Sequence, residues 1–102
     1  MSVRGEPTGR ILGLGGVELR KSRFSDAEAF FVGRREFAHF QGEEGIDIRL
    51  TGARIRAMTR ELDSDSRATL RGGSDWLEFR FASRSDADRA FELVAEAIAA
   101  NR

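Results

Sequence analysis

Gly33-Arg34 stands between Glu28-Ala29-Phe30-Phe31-Val32 and Arg35-Glu36-Phe37-Ala38-His39-Phe40, two runs that favour extended backbone. A two-residue linker with glycine first suits a type II′ turn, whose first position needs a positive φ that glycine adopts without a steric penalty. The stretch therefore reads as a β-hairpin, and the turn sets which face of the sheet each side chain takes. Counting outward, Val32 opposes Arg35, Phe31 opposes Glu36, Phe30 opposes Phe37, Ala29 opposes Ala38 and Glu28 opposes His39. Gln41-Gly42-Glu43-Glu44-Gly45 then leads into Ile46-Asp47-Ile48-Arg49-Leu50, a strict apolar and polar alternation. With Phe40 opposite Ile46, His39 faces Asp47 and Phe37 faces Arg49.

This register predicts an apolar core face of Ala29, Phe31, Ala38, Phe40, Ile46, Ile48 and Leu50. It sends Glu28, Phe30, Val32, Arg35, Phe37, His39, Gln41, Asp47 and Arg49 to the other side. Several aromatics exposed on one face of a monomer mark a ligand cleft or a protein contact, so that face is the candidate for function.

The remaining elements follow from local signals. Residues 1–8 read as a flexible start and residues 9–102 as one domain, with a single helical turn at most around the glycines near Gly13. Val17 to Arg20 alternates as a strand, and Lys21 to Asp26 as a polar connection. Thr51 caps a helix from Ala53 to Leu62 with Ile55, Met58 and Leu62 on one side. Arg67 to Arg71 is a short strand, Gly72-Gly73-Ser74 a turn, and Trp76 to Phe81 a strand with Leu77, Phe79 and Phe81 facing inward and Trp76 outward. A final helix starts at Ser85 as N-cap. The fold class is α+β: an antiparallel sheet with helices on one face.

At 102 residues, 40% of them hydrophobic, the chain can build one core and not two. It has no Cys, which removes disulfide and thiolate chemistry, and a single His, which removes a conventional structural zinc site. No segment approaches the apolar length of a membrane span and the start has no apolar signal region, so a cytoplasmic protein with no membrane partner is expected. The 17 basic and 17 acidic residues balance, which argues against a nucleic-acid partner because that binding draws on clustered cations. Gly13-Leu14-Gly15-Gly16 lacks the Lys-Ser/Thr and long helix of a phosphate loop.

One constellation carries chemistry. Glu28, His39 and Asp47 fall on adjacent strands of one face, placing an imidazole between two carboxylates. Such a ring is held protonated, or is oriented by one carboxylate as a general base, or joins both in a mixed nitrogen and oxygen metal site. The alternative is a salt-bridged sheet surface in which Arg35 and Arg49 neutralise the acids.

Ser22-Arg23-Phe24, Ala29-Phe30-Phe31-Val32, Gly33 through Phe40, Ile46 through Thr51, Ser74 through Phe81 and the closing Glu92-Leu93 together resemble small bacterial luciferase-domain proteins over roughly residues 11 to 102. The resemblance implies relatedness to fungal luciferases, which oxidise a polyphenol-like luciferin with molecular oxygen, although the small bacterial members have no assigned function. In that family the His39 segment usually reads His-x-His, and here the second position is Gln41. A more distant likeness links the strand order and terminal helix to small YjbR-like domains. The expectation is a site with His39, Asp47 and Glu28 as its reactive groups and Phe30, Arg35, Phe37, Gln41, Arg49 and Trp76 lining it for a small aromatic or anionic ligand. No pattern identifies a cofactor. The rival expectation is a homodimer or partner-docking module that uses the aromatic face.

Overall fold

A computed structural model of the chain describes the backbone of residues 5–8 and all of residues 9–22, 28–42, 44–70 and 74–102. The elements run α1 (Gly5–Leu12), β1 (Val17–Lys21), β2 (Glu28–Val32), β3 (Arg35–Phe40), β4 (Gly45–Arg49), α2 (Gly52–Ala57), α3 (Thr59–Asp63), β5 (Ala68–Leu70), β6 (Trp76–Arg80) and α4 (Arg84–Asn101). The strands form one six-stranded sheet in the order β1-β2-β3-β4-β6-β5. Every neighbouring pair is antiparallel, so the α+β class holds. After β4 the chain passes through α2 and α3 to the far edge, lays down β5, and returns as β6 between β5 and β4.

The hairpin turn forms as its residues dictate, with Gly33 at φ +61°. Its register then departs from the regular count. Val32 pairs with Arg35 and Phe31 with Glu36, but Phe30 pairs with Ala38 and Ala29 with His39, leaving Phe37 as the extra residue of a β-bulge. Phe37 and Ala38 are adjacent and apolar, and a regular strand must send one of them away from the core. The same regular strand would drive the Glu36 carboxylate into it. With the bulge, both Phe37 and Ala38 are fully buried in the main core. Losing one ladder pairing costs far less than burying an ionised carboxylate among hydrocarbon.

Because the extra residue inverts the parity of β2 against β3, the face assignment of β2 is corrected. Phe30 and Val32 join Ala38, Phe40, Ile46 and Ile48 in the core, and Phe30 sits edge-on to Phe40 at 5.7 Å between ring centroids. Phe31 and Ala29 take the opposite face, as the partners of Glu36 and His39. The β3–β4 register agrees with the count, with His39 opposite Asp47 and Phe40 opposite Ile46. On β6, Leu77 and Phe79 face inward with Phe81 beyond the strand end, all nearly inaccessible.

Among the described residues the helices cover the core face. α4 lies along β3, β4 and β6 and presents Ala87, Ala90, Leu93, Val94, Ala97 and Ile98 to it, while α1 packs on α4 and β1 through buried Ile11. α1 is longer than the glycines suggest and begins at Gly5, with Pro7 in the first turn, where its missing N–H breaks no helical bond. Residues 1–4 of the expected flexible start, most of the 21–26 connection, Arg71 and the Gly72-Gly73 turn lie outside the described residues. The single helix expected after Thr51 is two. At Met58 the N–H is shared between the Arg54 and Ile55 carbonyls, and the Thr59 hydroxyl donates to the Ile55 carbonyl at 2.9 Å, a side-chain bond that competes with the helical ladder. Ser83, not Ser85, caps α4, accepting from the Asp86 N–H at 3.2 Å. No helix among the described residues is long and apolar enough to cross a membrane.

Candidate functional site

The face of the sheet opposite the helices carries a chain of polar side chains that is buried nonetheless. Its centre is His39, 7% exposed, with Glu36 at 5%, Asp47 at 6% and Ser22 at 6%. The bulge creates the arrangement: Glu36 and His39 are three apart in sequence, a spacing that points opposite ways in a regular strand, and the extra residue between them turns both to the same side. Glu36 Oε2 lies 2.9 Å from His39 Nδ1 and accepts a hydrogen bond from the Ser22 hydroxyl at 2.9 Å. Asp47, placed opposite His39 by the β3–β4 ladder, brings Oδ2 to 3.0 Å from Nε2, and the Gln41 amide donates to that same oxygen at 2.9 Å. The Trp76 ring packs against the imidazole at 5.2 Å between centroids.

Both ring nitrogens of His39 thus face carboxylate oxygens, which only accept when ionised. The two contacts are satisfied together when each nitrogen carries a proton, or when one carboxyl holds the proton in place of the ring. Either way Glu36, His39 and Asp47 form one hydrogen-bonded chain. The carboxylates sit at opposite ends of the ring and do not converge, and no group of three or more His, Asp or Glu among the described residues is placed to hold a metal ion. Proton storage and transfer is the chemistry this geometry supports.

Asp47 has one further property. Its second oxygen, Oδ1, is buried and has no hydrogen-bond partner among the described residues. A buried charged acceptor left without a donor costs roughly 1–3 kcal/mol or more, so native structures seldom keep one without a use. On the same face Gln41, Glu44, Gly45, Glu78 and Arg80 line an open groove of about 240 Å³; Asp47 itself does not line it, but its cross-strand neighbour Glu78 does.

Of the residues expected at the site, His39, Asp47, Gln41 and Trp76 come together. Glu28 does not: Ala29 stands opposite His39, and Glu28 is exposed across from Lys21 at the end of β2. Phe30 and Phe37 are in the core, so the aromatic surface expected from them is absent, and Trp76 is half-buried while Phe31, under the Arg20 guanidinium at 5.4 Å, is buried. Arg35 is exposed beside the hairpin turn, paired across to Val32, a core residue. Arg49 is turned to the end of α4, donating to the Asn101 side chain and to Asp75, and does not neutralise Asp47. Glu36 and Ser22 are the members that the regular count missed. The signal available for Glu36 is the period of two itself, which would put its carboxylate on the face of Ala38 and Phe40.

Comparison of the chain with protein-family models, with curated proteins and with solved structures finds no match.

Proposed function

We propose that the chain is a small-ligand-binding protein of the luciferase-domain type, taking a small aromatic or anionic molecule on the sheet face opposite α1 and α4, around His39. The observation that carries the reading is the Asp47 Oδ1 oxygen, buried and without a donor among the described residues, on a side chain whose other oxygen is held by His39 and Gln41. A ligand hydroxyl or amine donating to Oδ1 would complete the carboxylate. Trp76 offers an aromatic ring next to the imidazole, and Arg80 at the groove offers a cation for an anionic substituent. The hydrogen-bonded chain Glu36–His39–Asp47 gives the site a route by which to take up or return a proton when the ligand ionises. The luciferase-domain likeness extends this to oxidative chemistry on the ligand, with Gln41 standing where that family carries a second His.

Trp76 is the only Trp, so its emission reports on the site without a label. A panel of aromatic acids, aryl alcohols and aryl amines is titrated against the protein, with Trp76 emission and melting temperature as readouts. The expected result is a saturable change with one class of compound, lost in Asp47→Asn with the fold intact. Binding that Asp47→Asn leaves unchanged, or no response across the panel, contradicts the reading.

A further inference from the structure

Two large apolar side chains stand exposed among the described residues, Leu12 at 40% and Leu19 at 37%. Both lie at one margin of the molecule. Leu19 is the middle residue of β1, an edge of the sheet, and Leu12 closes α1, which packs on β1. From Glu18 to Lys21 β1 is exposed throughout, and among the described residues no strand pairs with it on its outer side. An extended edge of this kind offers a row of backbone donors and acceptors to another strand. The opposite edge strand, β5, is described over Ala68–Leu70.

The β1 sequence is complementary to itself. Laid antiparallel on a second Val17-Glu18-Leu19-Arg20-Lys21 about its centre, Leu19 meets Leu19 and each Glu18 meets Arg20 of the second copy. The faces agree as well. Leu19 pairs with Phe30 and so points to the helix side, while Glu18 and Arg20 pair with Phe31 and Ala29 and so point to the open side. Within one chain Arg20 folds back on Glu18 at 2.8 Å from its Nε, a contact between half-exposed and exposed groups two residues apart. Across the seam the same carboxylate and guanidinium would meet twice by symmetry, and opposite charges facing each other on neighbouring strands favour pairing.

We propose that the chain forms a twofold dimer by antiparallel pairing of β1 with β1 of a second copy. The axis runs perpendicular to the sheet, so the two sheets join into one, both helix layers lie on the same side, and the Leu12 and Leu19 side chains of the two copies gather over the seam. The contact is isologous and closes at two copies. It uses the sheet edge and is independent of what the open face binds.

The test is sedimentation equilibrium of the full chain from low micromolar to near-millimolar concentration, with circular dichroism to confirm folding of each variant. The native chain is expected to be a dimer. Glu18→Arg sets Arg against Arg20 of the second copy at two symmetric points and is expected to weaken association at least about tenfold. Adding Arg20→Glu restores opposite charges across the seam and is expected to bring association back, which separates a pairing defect from a folding defect. Leu19→Lys, placing two ammonium groups face to face, is expected to give monomer. A native chain that stays monomeric, one that assembles beyond two copies, association indifferent to Glu18→Arg, or a dimer dispersed by Trp76→Ser instead would each overturn the proposal.

Discussion

Thr51 occupies φ 77°, ψ 149°, a region that β-branched residues avoid and glycine enters freely. It is held there from both sides: its N–H donates to the Asp75 carbonyl at 2.9 Å, and its hydroxyl accepts from the Arg54 N–H at 3.4 Å to cap α2. The strain is of order 1–3 kcal/mol, while exchanging a Thr cap for Gly loses only a few tenths. Thr51→Gly is therefore expected to raise unfolding stability by about 1 kcal/mol, and Thr51→Ala, which keeps the strain and removes the cap, to lower it by about 1 kcal/mol; urea denaturation of the pair decides. Glu36 is the other residue whose worth exceeds its visibility. Glu36→Ala takes the partner from both Ser22 and the His39 Nδ1, and is expected to cost about 2–4 kcal/mol, as removal of one member of a buried charged group does. A loss under 0.5 kcal/mol would make Glu36 an ordinary surface acid. Its place was legible in the sequence only as a contradiction. Any regular strand through Glu36-Phe37-Ala38-His39 buries a charge or exposes a phenyl ring, and counting by twos has no way to insert the residue that resolves this.

At the scale of elements, what was legible is what local chemistry decides: the Gly33 turn, the alternation of β4, the inward row of β6, and the apolar face of α4. What was not legible depends on tertiary fit. The break at Met58 reflects competition for the Ile55 carbonyl, and α4 is capped by Ser83, two residues earlier than expected. Between β5 and α4 a second device ties elements together. Arg67 donates to both oxygens of Asp65 from Nε and one terminal nitrogen at 2.8 Å each, and to Asp86 at 2.8 Å from the other. Its hydrogen bond holds the Asp65 carboxyl below the usual range, against a burial effect that raises it, and holds Asp86 down with help from the Ala82 N–H. The same two carboxylates raise Arg67, which stays charged throughout.

Carboxyls depressed in the folded state add stability that is present in full above the ordinary Asp range near 3.9 and is lost as pH falls through their lowered values. Arg67→Met is expected to lower stability at neutral pH by about 1 kcal/mol, the scale of a part-exposed network, and the gap from the native chain should close only below about pH 4. Denaturation curves from pH 7 down to 2.5 check it. A gap that stays constant to the acid end would show that Arg67 acts by packing on Phe79, whose ring lies 5.1 Å away, and not by charge.

At the scale of the molecule, the architecture is asymmetric in a useful way. One sheet face is buried under α1 and α4, and the other carries a polar chain in which a bulge, a register and an oxygen unpartnered among the described residues meet. Fold class and the His39–Asp47 pairing were readable because they depend on turn residues and alternation; the helix-free face was placed correctly for β4 and β6 and inverted for β2. Several arginines of the described residues are ion-paired in place, Arg10 with Asp88, Arg54 with Glu96 and Arg89 with Glu61 and Glu92. The exceptional group is the Asp47 carboxylate, and the account stands on its being completed by a ligand. Native mass spectrometry of the protein as purified, beside Asp47→Asn prepared identically, measures this without choosing a ligand in advance. The account predicts a small molecule carried one per chain by the native protein and absent from the variant; no bound molecule on the native protein, or the same molecule carried undiminished by Asp47→Asn, would contradict it.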